Sequence, residues 1–403
     1  MSCSRSRSRS LCFLLLCVVV ISSNAQPVPI VIVEKAKEKG AVCLDGSPPA
    51  YFFQNGSGQG INNWLIIVEG GGWCETVESC ASRLGTERGS SVFMNKTTGY
   101  GGFLGGVQSL NPDFYNWNRV KVRYCDGASF TGDVEEPLKV NQTAQLFFRG
   151  QRIWDAIMAE LMDRGMKNAS KAILSGCSAG GLAAILHCDQ FRALLPKEAI
   201  VKCISDAGYF IRGSDLTKNH TIDDVYGKVV ALHGSVKTLP KSCKQAKPEL
   251  CFFPQFVAET METPLFLINS PYDSWQIGHI LAPNTLQVAK TKEWNDCRLD
   301  IAKCSPDQLK IVQAFRDEFV KAVETGAGKN PKNGYFINSY HAHCQTSDAE
   351  NWIGPKALKL KNTEVWKAVG DWFFDRAPTP FREIDPPYPS NPTCPSLNKS
   401  TSA

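Results

Sequence analysis

The chain has few of the features that mark specialised protein classes. Its 403 residues contain no internal repeat, no low-complexity block and no obvious interdomain linker, which argues against repeat and multidomain architectures. It has only six histidines and no Cys-x-x-Cys pair, the spacing typical of structural zinc sites. Its longest apolar run, Leu11–Ile21, is too short to span a bilayer. The 43% hydrophobic and 21% charged residues that are present are ordinary for a globular protein.

Residues 1–25 are predicted to be a cleaved signal peptide. Three arginines among the first nine residues precede the short apolar run, and Ser23-Asn24-Ala25 offers small residues at the positions that signal peptidase reads. We therefore expect cleavage near Gln26 and export; an uncleaved membrane anchor is the alternative. Loss of the three arginines lowers the net charge from +5 to +2, so charge does not indicate a nucleic-acid partner. Residues 26–403 are predicted to form a single domain with a short Pro-rich C-terminal tail.

Cysteine usage agrees with export. Three of the 16 cysteines lie in the predicted signal peptide, which leaves thirteen from Cys43 to Cys394. This density indicates an oxidising compartment and several disulfides, and because thirteen is odd, at least one thiol is free or paired outside the chain. Export also makes the Asn-x-Ser/Thr sequons candidate N-glycosylation sites. They lie at Asn55, Asn95, Asn141, Asn168, Asn219 and Asn398.

The stretch Ala172–His187 predicts a nucleophilic serine. An apolar run typical of a buried strand leads into Gly-Cys-Ser-Ala-Gly, centred on Ser178, and an apolar helical pattern follows. Strand, tight turn and helix around Gly-x-Ser-x-Gly form the nucleophile elbow of α/β-hydrolases, which exposes the serine Oγ. In that arrangement the N–H of Ala179 is placed to donate to an oxyanion. The alternative is a glycine-rich turn without chemistry.

A second glycine-rich segment predicts the other half of an oxyanion hole. The apolar run Asn63–Val68 is typical of a buried strand and leads directly into Glu-Gly-Gly-Gly-Trp-Cys. Glycines after a buried strand let backbone N–H groups approach a ligand closely, as the HGGG-type loop of esterases does. Gly71 and Gly72 are therefore the candidate donors. A plain turn is the alternative.

Helical and strand patterns alternate along the chain. Apolar residues at helical spacing predict a core helix from Gln142 to Arg164, with Asn141 as its N-cap. Strand-like runs are predicted at 64–68, 120–124, 172–175, 264–269 and 334–338. This alternation predicts an α/β fold, α/β-hydrolase-like, with a mostly parallel sheet and helices on both faces.

The acid and base of a triad should follow the serine in the order Asp/Glu, then His. Asp273 lies just beyond the strand-like run 264–269, where a carboxylate can meet an imidazole and fix its tautomer. Asp206 also ends a strand-like run and is the competitor, although a late strand commonly supplies the acid. His341 and His343 follow the last strand-like run, and spacing alone does not choose between them. A metal site at His-x-His-Cys is disfavoured because no second ligand cluster completes it.

Five motifs, in order along nearly the whole chain after residue 25, resemble the plant pectin acetylesterases, carbohydrate esterase family thirteen, which are related to Notum. They are Glu-Gly-Gly-Gly-Trp-Cys (69–74), Gly-Cys-Ser-Ala-Gly-Gly-Leu (176–182), Cys-Ile-Ser-Asp-Ala-Gly (203–208), Asn-Ser-Pro-Tyr-Asp-Ser-Trp-Gln (269–276) and Phe-Ile-Asn-Ser with Ala-His-Cys-Gln (336–345). The resemblance implies an α/β-hydrolase fold and a triad of Ser178, Asp273 and His343. It also implies oxyanion donors at Gly71, Gly72 and Ala179.

The chain departs from the family pattern in its cysteines. Tyr340 stands where the family usually has cysteine, and Pro386 and Ser390 replace two cysteines near the C-terminus. These changes affect the expected disulfides near the predicted site and at the C-terminus, and they offer a reason for the odd cysteine count. They leave the three predicted triad residues unchanged.

The function expected from the resemblance is removal of acetyl groups from pectin (homogalacturonan) in the plant cell wall through an acyl-enzyme intermediate. No metal or organic cofactor is implied. We expect a secreted, monomeric protein without a nucleic-acid partner or stable membrane association after signal cleavage. The alternatives are an esterase acting on another acetylated glycan or a protein-bound acyl group, and a catalytically silent glycan-binding protein.

Overall fold

The computed structural model describes residues 27–244 and 247–394. The predicted signal peptide, its cleavage point near Gln26 and the sequon at Asn398 lie outside these ranges. Within them, no helix is long and apolar enough to cross a membrane. The other five sequon asparagines are exposed to solvent, so their side chains are accessible, and their glycosylation stays a prediction.

The described residues contain fourteen strands. Ten of them form one sheet, and the other four form two separate pairs, β6 with β7 and β12 with β13. The strands in chain order are β1 (Val28–Ile32), β2 (Ala50–Gln54), β3 (Asn63–Val68), β4 (Thr97–Thr98), β5 (Asn118–Val122), β6 (Leu138–Lys139), β7 (Gln145–Leu146), β8 (Lys171–Cys177), β9 (Ile200–Asp206), β10 (Leu265–Asn269), β11 (Gly334–Ile337), β12 (Lys359–Leu360), β13 (Thr363–Glu364) and β14 (Arg382–Ile384). The sheet order is β14-β11-β10-β9-β8-β3-β5-β2-β1-β4. The seven strands from β14 to β5 are parallel, and β2, β1 and β4 are each antiparallel to the strand before them in the sheet. The predicted mostly parallel sheet is therefore confirmed.

Helices connect these strands. They are α1 (Val77–Ala81), α2 (Gly150–Asp163), α3 (Ala179–Leu186), α4 (Cys188–Leu194), α5 (Ile222–Leu232), α6 (Lys241–Lys244), α7 (Ser274–Gln276), α8 (Lys292–Leu299), α9 (Pro306–Thr325), α10 (Ala349–Trp352) and α11 (Val365–Phe373).

Side chains of the central strands alternate between two hydrophobic clusters, one on each face of the sheet. In β8, Ala172 and Leu174 belong to the larger cluster and Ile173 to the smaller one. This is the two-residue period of a strand buried on both faces. Side chains of α2, α3 and α9 join the larger cluster, and those of α11 join the smaller. Helices therefore cover both faces of the sheet, as predicted.

The loops that carry the predicted site leave the same edge of the sheet. Parallel register pairs Val68 with Gly176, Cys177 with Asp206, and Asn269 with Ile337, so β3, β8, β9, β10 and β11 end side by side. Ligands of open α/β sheets bind outside the carboxyl ends of the strands. The topology thus brings together loops that are far apart in sequence.

Two predicted elements have different bounds in the structure. The helix predicted from Gln142 to Arg164 begins at Gly150. Its first part instead forms the turn and second strand of the β6–β7 hairpin, where the Asn141 Oδ1 accepts from N–H groups two and three residues later. The N–H of Phe147 donates to the carbonyl of Leu44 and so cannot join a helix. The strand predicted at 120–124 spans 118–122, as β5.

Six disulfides cross-link the described residues, as the cysteine density predicted. They are Cys43–Cys125, Cys74–Cys80, Cys177–Cys344, Cys188–Cys203, Cys243–Cys251 and Cys297–Cys304. Cys394 remains as a free thiol, which accounts for the odd count. Its Sγ lies 3.8 Å from the Oγ of Ser339, beside Tyr340, where the related family usually has cysteine.

Candidate active site

Ser178 occupies the tight turn between β8 and α3. Its backbone has φ 59° and ψ −129°, a conformation that non-glycine residues rarely adopt. The turn is held by the Ser178 N–H, which donates to the carbonyl of Asp206 at 2.9 Å. Such local strain in a strand-to-helix turn is typical of a nucleophile elbow.

The glycines on either side of the serine are required by close packing. A side chain on Gly176 would overlap the carbonyl of Gly180, and one on Gly180 would overlap the carbonyls of Val68 and Glu69. Glycine at 176 therefore lets the turn close tightly on α3, and glycine at 180 lets it approach the end of β3. This explains the spacing of the motif in physical terms.

His343 connects the serine to Asp273. Its Nε2 lies 2.7 Å from the Ser178 Oγ, and its Nδ1 lies 2.8 and 3.0 Å from the two carboxylate oxygens of Asp273. Because an ionised carboxylate can only accept, Nδ1 carries the proton and donates it to Asp273. Nε2 is then free to accept from the serine hydroxyl. The structure thus brings together the three side chains of the predicted triad.

Asp273 is buried and fixed by backbone donors. It lies four residues after β10, and its Oδ1 accepts from the N–H groups of Trp275 and Gln276 at 2.9 and 3.0 Å. The negative charge stabilises a protonated His343 ring. Burial lowers the pKa of His343, but the charge of Asp273, its hydrogen bond and a smaller effect of the Asp206 charge together outweigh it, so the pKa is raised above its usual value near 6.5.

Asp206, the competing acid, forms no hydrogen bond with the His343 imidazole in the described structure. It binds the loop that follows His343 instead. Its buried Oδ2 accepts from the N–H groups of Gln345 and Thr346 at 2.8 and 2.7 Å, and from the Thr346 hydroxyl at 2.7 Å. Burial raises the pKa of Asp206. Sequence position made it a candidate for the triad, whereas its contacts make it an anchor for the segment just after His343.

A disulfide links the two halves of the site. Cys177 directly precedes Ser178, Cys344 directly follows His343, and the two cysteines are bonded to each other across 167 positions of sequence. Neither cysteine was predicted to contribute to the site. Their adjacency to the predicted nucleophile and base was the signal in the sequence that could have suggested the pairing.

His341, the alternative base, makes no hydrogen bond to Ser178 or Asp273 among the described residues. Its side chain is buried, and burial lowers its pKa.

The cluster Cys74, Cys80 and His233 has metal-ligand spacing, but the two sulfurs are bonded to each other and cannot act as thiolates. The His233 Nε2 donates to the Cys74 carbonyl at 2.9 Å, which gives this ring a structural role.

The glycine loop after β3 lies directly against the serine. A Cβ on Gly70 would be 2.7 Å from the Ser178 Cβ, so only glycine permits this approach. Among the described residues, the N–H groups of Gly71 and Gly72 have no hydrogen-bond partner. Ala179 is the first residue of α3, so its N–H has no partner within the helix. Gly70 thus borders the serine turn, Gly71 and Gly72 follow it in the chain, and their role as oxyanion donors stays a prediction.

An aromatic cluster packs beside the imidazole. Trp73, Phe210 and Trp275 contact one another edge-on, with ring centroids 4.9 to 5.3 Å apart. The rings of Phe210 and Trp275 lie 6.3 and 6.5 Å from the His343 ring. The cluster continues through Tyr226, which packs on Trp73 at 5.1 Å. Space next to the histidine is therefore filled by large rings.

Comparisons with known proteins place the chain among esterases. The pectinacetylesterase family model matches residues 21–395. The chain is 58% identical to pectin acetylesterase 7 and 55% identical to pectin acetylesterase 11 of Arabidopsis thaliana, each over 91% of this chain and 92% of the relative. The fold is similar to that of the Wnt deacylase Notum from Drosophila, with a TM-score of 0.75 at 21% identity, covering 92% of this chain and all of that one.

Proposed function

Because the chain belongs to the pectinacetylesterase family, we propose that it removes acetyl groups from pectin (homogalacturonan) with Ser178 as nucleophile, His343 as general base and Asp273 as the group that orients the base. The observation that carries the proposal is the continuous hydrogen-bonded series from the serine hydroxyl through the imidazole to the carboxylate, at 2.7 and 2.8 Å. These are the distances required for proton transfer from the nucleophile.

The reaction is acyl transfer in two halves. The His343 Nε2 takes the proton of Ser178 as its Oγ bonds to the acetyl carbonyl carbon, giving a tetrahedral oxyanion. The bond to the sugar oxygen then breaks, and the imidazolium returns the proton to that oxygen. Water attacks the acetyl-serine by the same route, with His343 as base, and acetate leaves with the enzyme regenerated.

The oxyanion is stabilised by backbone N–H groups. Gly71, Gly72 and Ala179 are the donors that we assign, since the described residues leave their N–H groups unpaired, Ala179 directly follows Ser178, and Gly71 and Gly72 follow Gly70, which lies against Ser178. The N-terminus of α3 adds a favourable dipole at the same position. No step requires a metal ion or an organic cofactor.

The aromatic cluster favours a short acyl group. Trp73, Phe210 and Trp275 pack against one another beside His343, and all but Trp275 are buried. A long acyl chain would have to displace these rings, whereas an acetyl group adds only one methyl. This supports an acetyl ester as substrate over a long protein-bound acyl group.

Location and assembly follow from the same proposal. The protein acts outside the cell, in the plant cell wall, after removal of residues 1–25, with residues 26–403 acting as one esterase unit. Acetylated pectin is its partner, and the monomer is the active form. Secretion to the cell wall and a monomeric form suit an enzyme that acts on an immobile polysaccharide.

Acetate release tests the proposal. Purified protein is given acetylated pectin, acetylated xylan and a long-chain ester, and we expect acetate from pectin to exceed the other products. Ser178→Ala should lower the rate by at least about 10⁴-fold, because no other side chain replaces the nucleophile. Circular dichroism and thermal unfolding check that the variant is folded. Retained activity in Ser178→Ala, or preference for xylan or the long-chain ester, would overturn the proposal.

A fluorophosphonate probe separates the enzyme from a silent glycan-binding protein, because only an activated serine reacts. We expect the native chain to be labelled at Ser178 and Ser178→Ala to remain unlabelled. A folded native protein that resists the probe and releases no acetate would favour the silent protein.

A further inference from the structure

Three successive carbonyls of the glycine loop are each held by a side chain. The Arg83 Nη1 donates to the carbonyl of Gly71 at 2.9 Å, and its Nη2 donates to the carbonyl of Trp73 at 2.7 Å. Between them, the Tyr124 hydroxyl donates to the carbonyl of Gly72 at 2.7 Å. One guanidinium therefore brackets Gly72 from both sides.

Fixing a carbonyl also fixes the next N–H. In a trans peptide, the C=O of one residue and the N–H of the following residue point in opposite directions. The bond from Arg83 to the Gly71 carbonyl thus sets the direction of the Gly72 N–H. Gly72 has φ +63°, and consecutive glycines can rotate their peptide planes at little steric cost. Without a restraint, this loop would have access to orientations that turn the N–H away.

The Arg83 side chain interacts with this loop and is not shared with an acidic side chain in the described structure. Its side-chain hydrogen bonds in the described structure both go to the glycine loop, and it forms no ion pair there. The nearby Arg123 differs, because its guanidinium pairs with Glu69 and Glu87 at 2.8 and 2.5 Å. A guanidinium presents its donors in a rigid planar fork, so it can hold two carbonyls in one geometry.

The backbone around Arg83 is itself anchored to the loop. Arg83 lies two residues after α1, and the Cys74–Cys80 disulfide joins α1 to the end of the glycine loop. The turn that follows is closed by the Thr86 N–H, which donates to the Arg83 carbonyl at 2.9 Å. The backbone that carries the Arg83 guanidinium is thus held in place.

We propose that Arg83 is a positioning residue for catalysis, which holds the Gly71 and Trp73 carbonyls so that the Gly72 N–H is pre-oriented toward the developing oxyanion. The inference rests on the proposed function of Ser178. Arg83 acts through the backbone and does not itself touch the substrate. Pre-orientation matters because an oxyanion donor stabilises the transition state only when no reorganisation is needed during the reaction.

The test compares Arg83→Ala and Arg83→Lys with Arg192→Ala. Arg192 is a matched control, since its guanidinium also donates to backbone carbonyls, of Leu195, Pro196 and Lys197, but on a loop after α4. With 4-nitrophenyl acetate as substrate, Arg83→Ala should lower kcat by about 10²-fold, the loss typical of one oxyanion donor. KM should change by less than about threefold, since ground-state binding is kept. Arg192→Ala should retain wild-type kcat.

Two further readouts separate positioning from general destabilisation. The acid limb of the pH–rate profile, which reports His343, should be unchanged in Arg83→Ala because the triad contacts are kept. Guanidinium ion at millimolar concentration should restore part of kcat in Arg83→Ala and have no effect on Arg192→Ala. Arg83→Lys should recover only part of kcat, because an ammonium lacks the planar fork.

Wild-type kcat in folded Arg83→Ala would overturn the proposal, as would an equal loss in Arg192→Ala. If Arg83→Ala does not fold, Arg83→Lys decides: full kcat in that variant rejects the requirement for the fork, and a kcat loss without a change in KM supports it. Failure of the proposed function gives a different result, namely esterase activity that persists in Ser178→Ala.

Discussion

At the scale of single residues, the carboxylate of Asp273 has two tasks. Its Oδ1 accepts from two backbone N–H groups of the following turn, and both oxygens face the Nδ1 of His343. The backbone bonds fix the carboxylate, and the carboxylate fixes the ring tautomer. Its charge is also the reason that the pKa of His343 is raised despite burial.

Asp273→Asn is therefore expected to change both rate and pH dependence. The general base must be neutral, so wild-type kcat/KM should fall as pH falls through a pKa above 6.5. In the asparagine variant the lowering effect of burial remains, the raising effect of the Asp273 charge is lost, and only the smaller raising effect of Asp206 is left. The acid limb should move to lower pH, and kcat should fall by roughly 10⁴-fold. A pH series of kcat/KM measures both effects, and an unmoved acid limb would contradict the stated cause.

At the scale of elements, the loop after β11 is tethered at several points to strands that are distant in sequence. Asp206 at the end of β9 accepts three hydrogen bonds from Gln345 and Thr346, and Cys344 is bonded to the last residue of β8. A further contact comes from the N–H of Phe103, which donates to the Thr346 carbonyl at 2.9 Å. Because His343 lies in this loop, these contacts fix its position.

Asp206→Ala is expected to destabilise the loop and the fold. It leaves buried donors of Gln345 and Thr346 without an acceptor, which should lower the free energy of unfolding by about 3 kcal/mol. Asp206→Asn is the matched control, because its amide oxygen can still accept and should retain most of the stability. Urea denaturation measures the difference. Equal stability of the alanine variant and the wild type would show that the three hydrogen bonds contribute little.

At the scale of the whole molecule, two of the six disulfides, Cys43–Cys125 and Cys177–Cys344, join segments 82 and 167 positions apart, and the other four close loops of 6 to 15 positions. Thirteen cysteines from Cys43 onward form six pairs, with Cys394 left over. Burial raises the pKa of the Cys394 thiol to about 12, so it is protonated at neutral pH and a weak nucleophile.

Thiol labelling should therefore detect one cysteine among those from Cys43 to Cys394. Iodoacetamide is expected to label the native protein slowly, and to label Cys394 fully once the unreduced chain is denatured. Peptide mass spectrometry identifies the labelled position, and Cys394→Ser is the control that should remain unlabelled. Full labelling of any of the twelve paired cysteines would contradict the disulfide pattern.

Local sequence was most informative where sterics dominate. The turn around Ser178 and the run of glycines from Gly70 were predicted because few other residues fit such close backbone approaches, and the family resemblance is confirmed. The helix predicted from Gln142 was wrong in its first part. Apolar spacing suited a helix there, but the segment forms the local β6–β7 hairpin, and the N–H of Phe147 donates to the carbonyl of Leu44, about a hundred positions earlier. Periodicity does not register such long-range pairing.

The sequence by itself determined the strand–turn–helix around Ser178, the parallel α/β architecture and the chain order of serine, acid and histidine, because these depend on local sterics and on hydrophobic patterning. Only the tertiary structure decided that Asp273 meets the imidazole while Asp206 anchors its loop, and that Arg83 braces the glycine loop. Those contacts depend on the register in which distant parallel strands end at one edge, and no local pattern carries that information.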